Sequence, residues 1–136
     1  MFGSLDISTS ALVAQRIRLD TIMGNMANAE VTRRADGRPG PYKRRMVLFE
    51  SGDGAGGPGV HVREIREDPG PGRFVRLPDH PDAIQSGPHK GYVEYPNVDV
   101  STEVVNAMLA SRAYEANIAA IEVTKSMISS TLRLLA

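Results

Sequence analysis

The side chains that could do chemistry are few and poorly arranged for it. His61, His80 and His89 are the only groups whose ordinary pKa lies near neutrality. A zinc site without cysteine needs histidines and carboxylates brought together by regular spacing, and these three follow none, so they read as surface histidines. Cysteine is absent, which removes disulfides, thiolate metal sites, iron–sulfur clusters and a thiol nucleophile. No Ser, His and Asp stand in the order of a hydrolase with a nucleophile elbow, and no carboxylate pair is set in an apolar stretch. The expectation is a protein that is not an enzyme and carries no cofactor or metal.

Three shorter patterns have plainer readings. Gly52 to Gly59 is glycine-rich, but a phosphate cradle needs a Lys-Ser/Thr and a helix at its end, whereas Pro58 and a β-prone run follow. It reads as a flexible loop. His80-Pro81-Asp82 matches a tripeptide that joins two helices in chaperone J-domains. Here Pro78 and Pro81 bracket it, so it reads as a turn in which Asp79 and Asp82 bond local amides. Arg33, Arg34, Arg38, Lys43, Arg44 and Arg45 face only Asp36 within their own stretch. Without aromatic platforms beyond Tyr42 they read as a solvated or subunit-facing basic edge rather than a nucleic-acid site. Lys plus Arg (16) balances Asp plus Glu (16), which removes the whole-chain argument for a nucleic-acid or membrane-surface partner.

The elements that must carry any function are marked by what is missing from them. All nine prolines, and all but two of the thirteen glycines, fall between Gly37 and Pro96. Both residues disfavour helix interiors, so the chain divides into an N-terminal helix (1–30), an irregular and β-rich middle (31–96) and a long C-terminal helix (97–136). The fold class expected is mainly α with a small β-rich insertion, its two long helices pairing in a coiled-coil-like manner. Strand-like runs lie at Tyr42–Glu50 and Val60–Ile65, with weaker ones at Phe74–Leu77 and Gly91–Tyr95.

Leu5, Leu12, Leu19 and Met26 recur every seven residues, with Ile22 beside them, and keep one edge of the first helix toward one partner. The helix is expected to end near Asn28, which tolerates a left-handed conformation. Asp99 is the expected N-cap of the last helix, with Glu103 well placed for its dipole. That helix carries two stripes. One holds Leu109, Ala113, Ala116, Ala120, Val123 and Met127; the other holds Tyr114, Ile118, Ile121, Ile128 and Leu132. One partner needs one stripe, so two stripes require two partners. The middle segment is poor in large apolar residues, and a lone monomer would expose an elongated apolar face, the mark of an interaction surface. The plainer arrangement is a helical hairpin whose second face the middle segment covers. No apolar run exceeds four residues, so no lipid insertion is expected, and the first residues lack a cleaved-signal pattern.

Several segments also resemble one family. Leu5-Asp-Ile-Ser-Thr-Ser-Ala-Leu12 with Gln15-Arg-Ile-Arg-Leu-Asp20 is similar to the start of bacterial flagellar rod proteins. Asn25-Met-Ala-Asn-Ala-Glu30 resembles the Asn-Ile-Ala-Asn-Ala-Asn motif of flagellar rod and hook axial proteins. Gly40-Pro-Tyr-Lys-Arg-Arg45, Gly91-Tyr-Val-Glu-Tyr-Pro-Asn-Val-Asp-Val100, Ala110-Ser-Arg-Ala-Tyr-Glu-Ala-Asn117 and Lys125-Ser-Met127 resemble the proximal-rod members in particular. Met26 and Glu30 depart from the motif, and residues 52–73 carry little of the pattern. The resemblance implies a structural subunit of the flagellar drive shaft whose paired helices form an inner tube. It implies as partners other copies of the chain, other rod subunits and the flagellar type III export apparatus. It also implies a periplasmic rod location in the basal body, reached without a cleaved signal. Asn25, Asn28 and Asn117 would bond backbone or amide groups at subunit junctions. Leu12, Leu19, Ile22 and Met26, with Leu5 at the start of the same edge, would pack on the Ala113–Met127 row within or between subunits, and Tyr114, Ile118, Ile121, Ile128 and Leu132 would contact a neighbouring subunit. The alternative is a helical adaptor or scaffold outside the flagellum.

Overall fold

The structure, a computed structural model, describes residues 2–135. Met1 and Ala136, the outer bounds of the two predicted helical segments, lie outside the described residues. Helix α1 runs Phe2–Ala27 and helix α2 Val100–Leu135; between them lie strands β1 (Arg45–Ser51), β2 (Val60–Glu67), β3 (Arg73–Arg76) and β4 (Tyr92–Tyr95). The protein is mainly helical with a small β insertion, as its glycine and proline distribution requires.

Both helix boundaries have local causes. The Asn28 side-chain amide donates to the Gly24 carbonyl at 2.7 Å, and its backbone N–H reaches the same oxygen at 3.1 Å. Asn28 therefore does not turn left-handed: its amide gives a second bond to a carbonyl its own N–H already reaches, and the helix tightens to three-residue turns as Asn28 and Ala29 donate to Asn25 and Met26; among the described residues only glycines have positive φ. Asp99 caps α2: its carboxylate accepts from the Ser101 N–H at 3.0 Å and the Thr102 hydroxyl at 2.8 Å, while its carbonyl accepts the Glu103 N–H at 3.0 Å.

β1 and β2 form an antiparallel hairpin running from Arg45 opposite Glu67 to Ser51 opposite Val60. Leu48 faces Glu64 and Phe49 faces Val62, so Arg63 is an extra residue that bulges the second strand. The glycine-rich connection is folded upon itself. Gly52 N–H donates to Gly59 at 2.7 Å, and the Asp53 carboxylate accepts the N–H groups of Ala55 and Gly57, both at 2.8 Å. β3 and β4 form a second antiparallel pair, Arg73 opposite Tyr95, in a lobe whose centre is the fully buried Val93.

Three layers result. The β1–β2 hairpin packs on α1 and α1 packs on α2, while among the described residues no strand packs on α2. Ser10 fastens the first two layers, its hydroxyl accepting the Val60 N–H at 3.1 Å. The middle segment thus covers the outer side of α1 and leaves the second side of α2 bare. At about 1.5 Å per residue, 36 residues of α2 extend roughly 15 Å beyond the 26 of α1.

Gly72 sits where β3 begins, and a Cβ there would stand 2.0 Å from the Tyr95 carbonyl oxygen and 2.9 Å from the Glu94 side chain. Gly72→Ala is therefore expected to lower unfolding stability by about 1–3 kcal/mol, the usual range for an overpacked site, read by urea denaturation.

Candidate functional site

The features of functional interest are a buried polar junction at one end of the helix pair and a bare apolar flank along α2. The junction forms where α1 ends, β1 begins and α2 starts. Asn25 is completely buried there and uses every hydrogen-bonding position of its amide. Its Nδ2 donates to the Arg45 carbonyl at 2.8 Å and to Glu103 Oε2 at 3.0 Å. Its Oδ1 accepts the Arg45 N–H at 2.8 Å and the Tyr42 hydroxyl at 2.9 Å.

Glu103, also fully buried, faces Asn25 from the first turn of α2. Its Oε1 accepts Arg44 Nε at 2.8 Å and the Asn106 amide at 3.4 Å. Arg44 in turn lies 3.8 Å from Asp68, and its backbone N–H donates to Asn97 Oδ1 at 2.9 Å. Asn97 then donates to the carbonyls of Asp68 and Gly70 at 3.3 and 3.2 Å. One connected network thus ties together α1, the hairpin and the entry to α2. A buried carboxylate beside a guanidinium and two amides is tolerated because each oxygen has donors.

The cations that read as a basic edge are largely internally paired. Arg34 meets Glu67 in a forked arrangement at 3.2–3.3 Å, Arg38 meets Asp36 and Glu67, and Lys43 meets Glu94 at 3.2 Å. Arg33 pairs with Asp82, and the Arg45 guanidinium lies over the Tyr42 ring, 5.7 Å from its centre. The edge is solvated in part, with the Arg33 and Arg38 side chains exposed, and it is neutralised by acids that come from up to 59 residues later in the chain. Asp82, expected to bond local amides, instead receives Thr32 and Arg33. The turn itself is present, with Ala83 N–H on the His80 carbonyl at 2.9 Å.

These pairs depress several carboxylates. The Arg34 fork, aided by Arg38, holds Glu67 below its ordinary pKa. Arg33 and Thr32 do the same for Asp82, Arg38 for Asp36, Thr102 and the Ser101 N–H for Asp99, and the Ala55 and Gly57 N–H groups for Asp53. A carboxylate whose folded pKa lies below its unfolded value stabilises the fold above the unfolded pKa and loses that contribution as pH falls. Thermal midpoints are thus expected to be flat from about pH 7 to 5 and to fall steadily below about pH 4. Circular dichroism melts across that range check it.

The helix residues divide by exposure. On α1, Ile22 is buried, and Leu5, Leu12, Leu19 and Met26 are half-buried. On α2, Ala113, Tyr114, Ile121 and Ile128 are half-buried, while Leu109, Ala116, Ile118, Ala120, Val123, Met127 and Leu132 are exposed. The covered face runs along every seventh residue between the two stripes: Glu103, Ala110, Asn117 and Thr124. Small size and internal bonding let this row lie under α1. Ala110 is fully buried, Asn117 donates its amide to the Ala113 carbonyl at 2.8 Å, and Thr124 its hydroxyl to Ala120 at 2.8 Å. So α1 lies in the valley between the stripes and covers one edge of each. Left bare is a long flank with Leu109, Val123 and Met127 at 54%, 60% and 61% exposure, and Leu132 at 62% beyond it.

Of the three motif amides, Asn25 is consumed entirely inside the chain, and Asn28 and Asn117 bond their own helices. The roles of Glu103, Arg44, Tyr42 and Asn97 were not legible from spacing. Their one signal was that the last three lie inside the motif segments.

The chain is similar to known proteins over nearly its whole length. Residues 89–134 match the family described as flagellar basal body rod FlgEFG protein C-terminal. Over nearly the whole chain, the flagellar basal-body rod protein FlgC of Borreliella burgdorferi is 40% identical, covering 99% of this chain and 97% of that protein. The chain belongs to the FlgC family of flagellar basal-body rod proteins. FlgC of Yersinia enterocolitica is 44% identical and that of Escherichia coli O157:H7 42%, each over 98% of this chain and 97% of its own length. Membership in the FlgC family gives a structural role in the flagellar rod. No helix among the described residues is long and apolar enough to cross a membrane.

Proposed function

We propose that this chain is a building block of the proximal rod that acts by packing alone, without catalysis or cofactor. The segments that carry its two helices, 1–30 and 97–136, form the inner layer of the rod and residues 31–96 the outer one. The bare flank of α2 meets other copies of the chain and other rod subunits, with the row around Tyr114, Ile121 and Ile128 packing at the edge of the same contacts. Neither nucleic acid nor lipid insertion enters this reading. The subunit reaches the periplasm through the flagellar type III apparatus.

The observation that carries the proposal is the exposure of Leu109, Val123 and Met127 along one flank of α2, on which, among the described residues, no strand of the chain packs. An apolar strip of that length in water favours association. The deciding experiment is electron microscopy of basal bodies from a strain lacking the gene, with a complemented control. Missing rods that return on complementation are expected; intact rods and hooks without the gene would overturn the proposal.

A further inference from the structure

The apolar rows of the two helices do not by themselves choose an alignment. Leu5, Leu12, Leu19 and Met26 repeat every seven residues on α1, and so do Tyr114, Ile121 and Ile128 on α2. The valley that receives α1 has the same repeat. Sliding one helix past the other by seven residues, about 10 Å, would set leucine and isoleucine levels against equivalent levels again. The burial lost would be confined to one end.

The polar junction is not degenerate in this way. Asn25 stands opposite Glu103 in an antiparallel pair, so one such slide places Asn25 opposite Ala110, which offers no polar group. The opposite slide carries Asn25 past Val100, where α2 begins. Either shift removes Arg44 from Glu103 and strands a carboxylate, a guanidinium and an amide that are satisfied only in the observed alignment. Among the described residues neither strand of the β1–β2 hairpin packs on α2, and Arg44, the residue before β1, ties that end of the hairpin to α2 through Glu103.

We propose that Asn25, Glu103 and Arg44 are the residues that specify the register of the helix pair. Stability comes chiefly from the apolar rows, and the polar triad selects one alignment from the set that those rows permit. If α2 contacts neighbouring subunits, as proposed above, this register also sets where its bare flank lies relative to the hairpin on α1. The register itself is a property of the single chain and stands or falls apart from the rod reading.

The absence of native cysteine makes the test direct. Spin labels placed at the exposed positions Arg16→Cys and Glu122→Cys report helix alignment as an electron–electron distance. The parent is expected to give one narrow distance, and Glu103→Gln, which keeps the shape and hydrogen bonding, to preserve it. The combined Asn25→Leu, Arg44→Met and Glu103→Leu variant is expected to keep its helicity while gaining a second population displaced by up to about 10 Å. One unchanged narrow distance in that variant would overturn the proposal and assign register to the connecting segment at Asn97. If the combined variant loses its helices, Glu103→Ala carries the same test: broadening at retained helicity supports the triad, and an unchanged narrow distance overturns it.

Discussion

Asn25→Ala is expected to lower the unfolding free energy by about 3–4 kcal/mol, a large share of the 5–15 kcal/mol typical of a domain. The alanine leaves the Tyr42 hydroxyl, the Arg45 N–H, the Arg45 carbonyl and Glu103 Oε2 without their shared partner. Each buried unsatisfied group costs about 1–3 kcal/mol, and relaxation with water entry recovers part of the sum. In a chain of 136 residues this corresponds to a fall in thermal midpoint of roughly 10 °C or more. Tyr42→Phe, which removes only one of the four bonds, is expected to lose about 1 kcal/mol. Urea denaturation followed by circular dichroism reads both. A loss below about 1 kcal/mol for Asn25→Ala would mean that the junction is not a keystone of the helix pair.

The second large effect separates folding from assembly. Ala120 is exposed on the same flank as Leu109, Ala116, Val123 and Met127. Aspartate there meets only water in the single chain, so Ala120→Asp is expected to lower the unfolding free energy by no more than about 1 kcal/mol, chiefly through its poorer helix propensity. In a packed contact the same carboxylate would be buried without a partner, at several kcal/mol per copy. Cells carrying the variant are expected to export the subunit yet assemble no rod and fail to swim. Normal motility would remove the flank from the subunit contacts while leaving membership in the FlgC family untouched.

The difference between the two variants shows why part of this molecule was legible before its structure. Helix positions follow from signals that act within a few residues: no proline or glycine from residue 97 onward, an Asp99 that can reach two groups of the next turn, and apolar side chains in a seven-residue rhythm. The strands at 45–51 and 60–67 are similarly local, set by β-prone runs on either side of a glycine-rich turn. Sequence similarity added the family, because its motifs are short contiguous strings.

The junction was not legible because it joins residues far apart in the chain. Asn25 and Glu103 are 78 positions apart, and Arg44 and Glu103 are 59 apart. From spacing alone Glu103 looks like a residue serving the helix dipole, and Arg44 like one of a cluster of solvated cations. Their partnership exists only once α1 has turned back on α2 and the hairpin has lain down on α1.

The valley docking of α1 has the same origin. The sequence shows two stripes, and the strength of each suggests that one of them receives the partner. In the folded chain the seat is the row between them, where Ala110 permits close approach and Asn117 and Thr124 hide their polar groups against their own helix. Periodicity along the chain therefore defined the helices and their apolar sides, and similarity of contiguous segments gave the family. Which side α1 occupies, which cations are neutralised and which flank stays bare depended on contacts between distant segments, because no local pattern encodes the pairing of two elements that each offer more than one acceptable face.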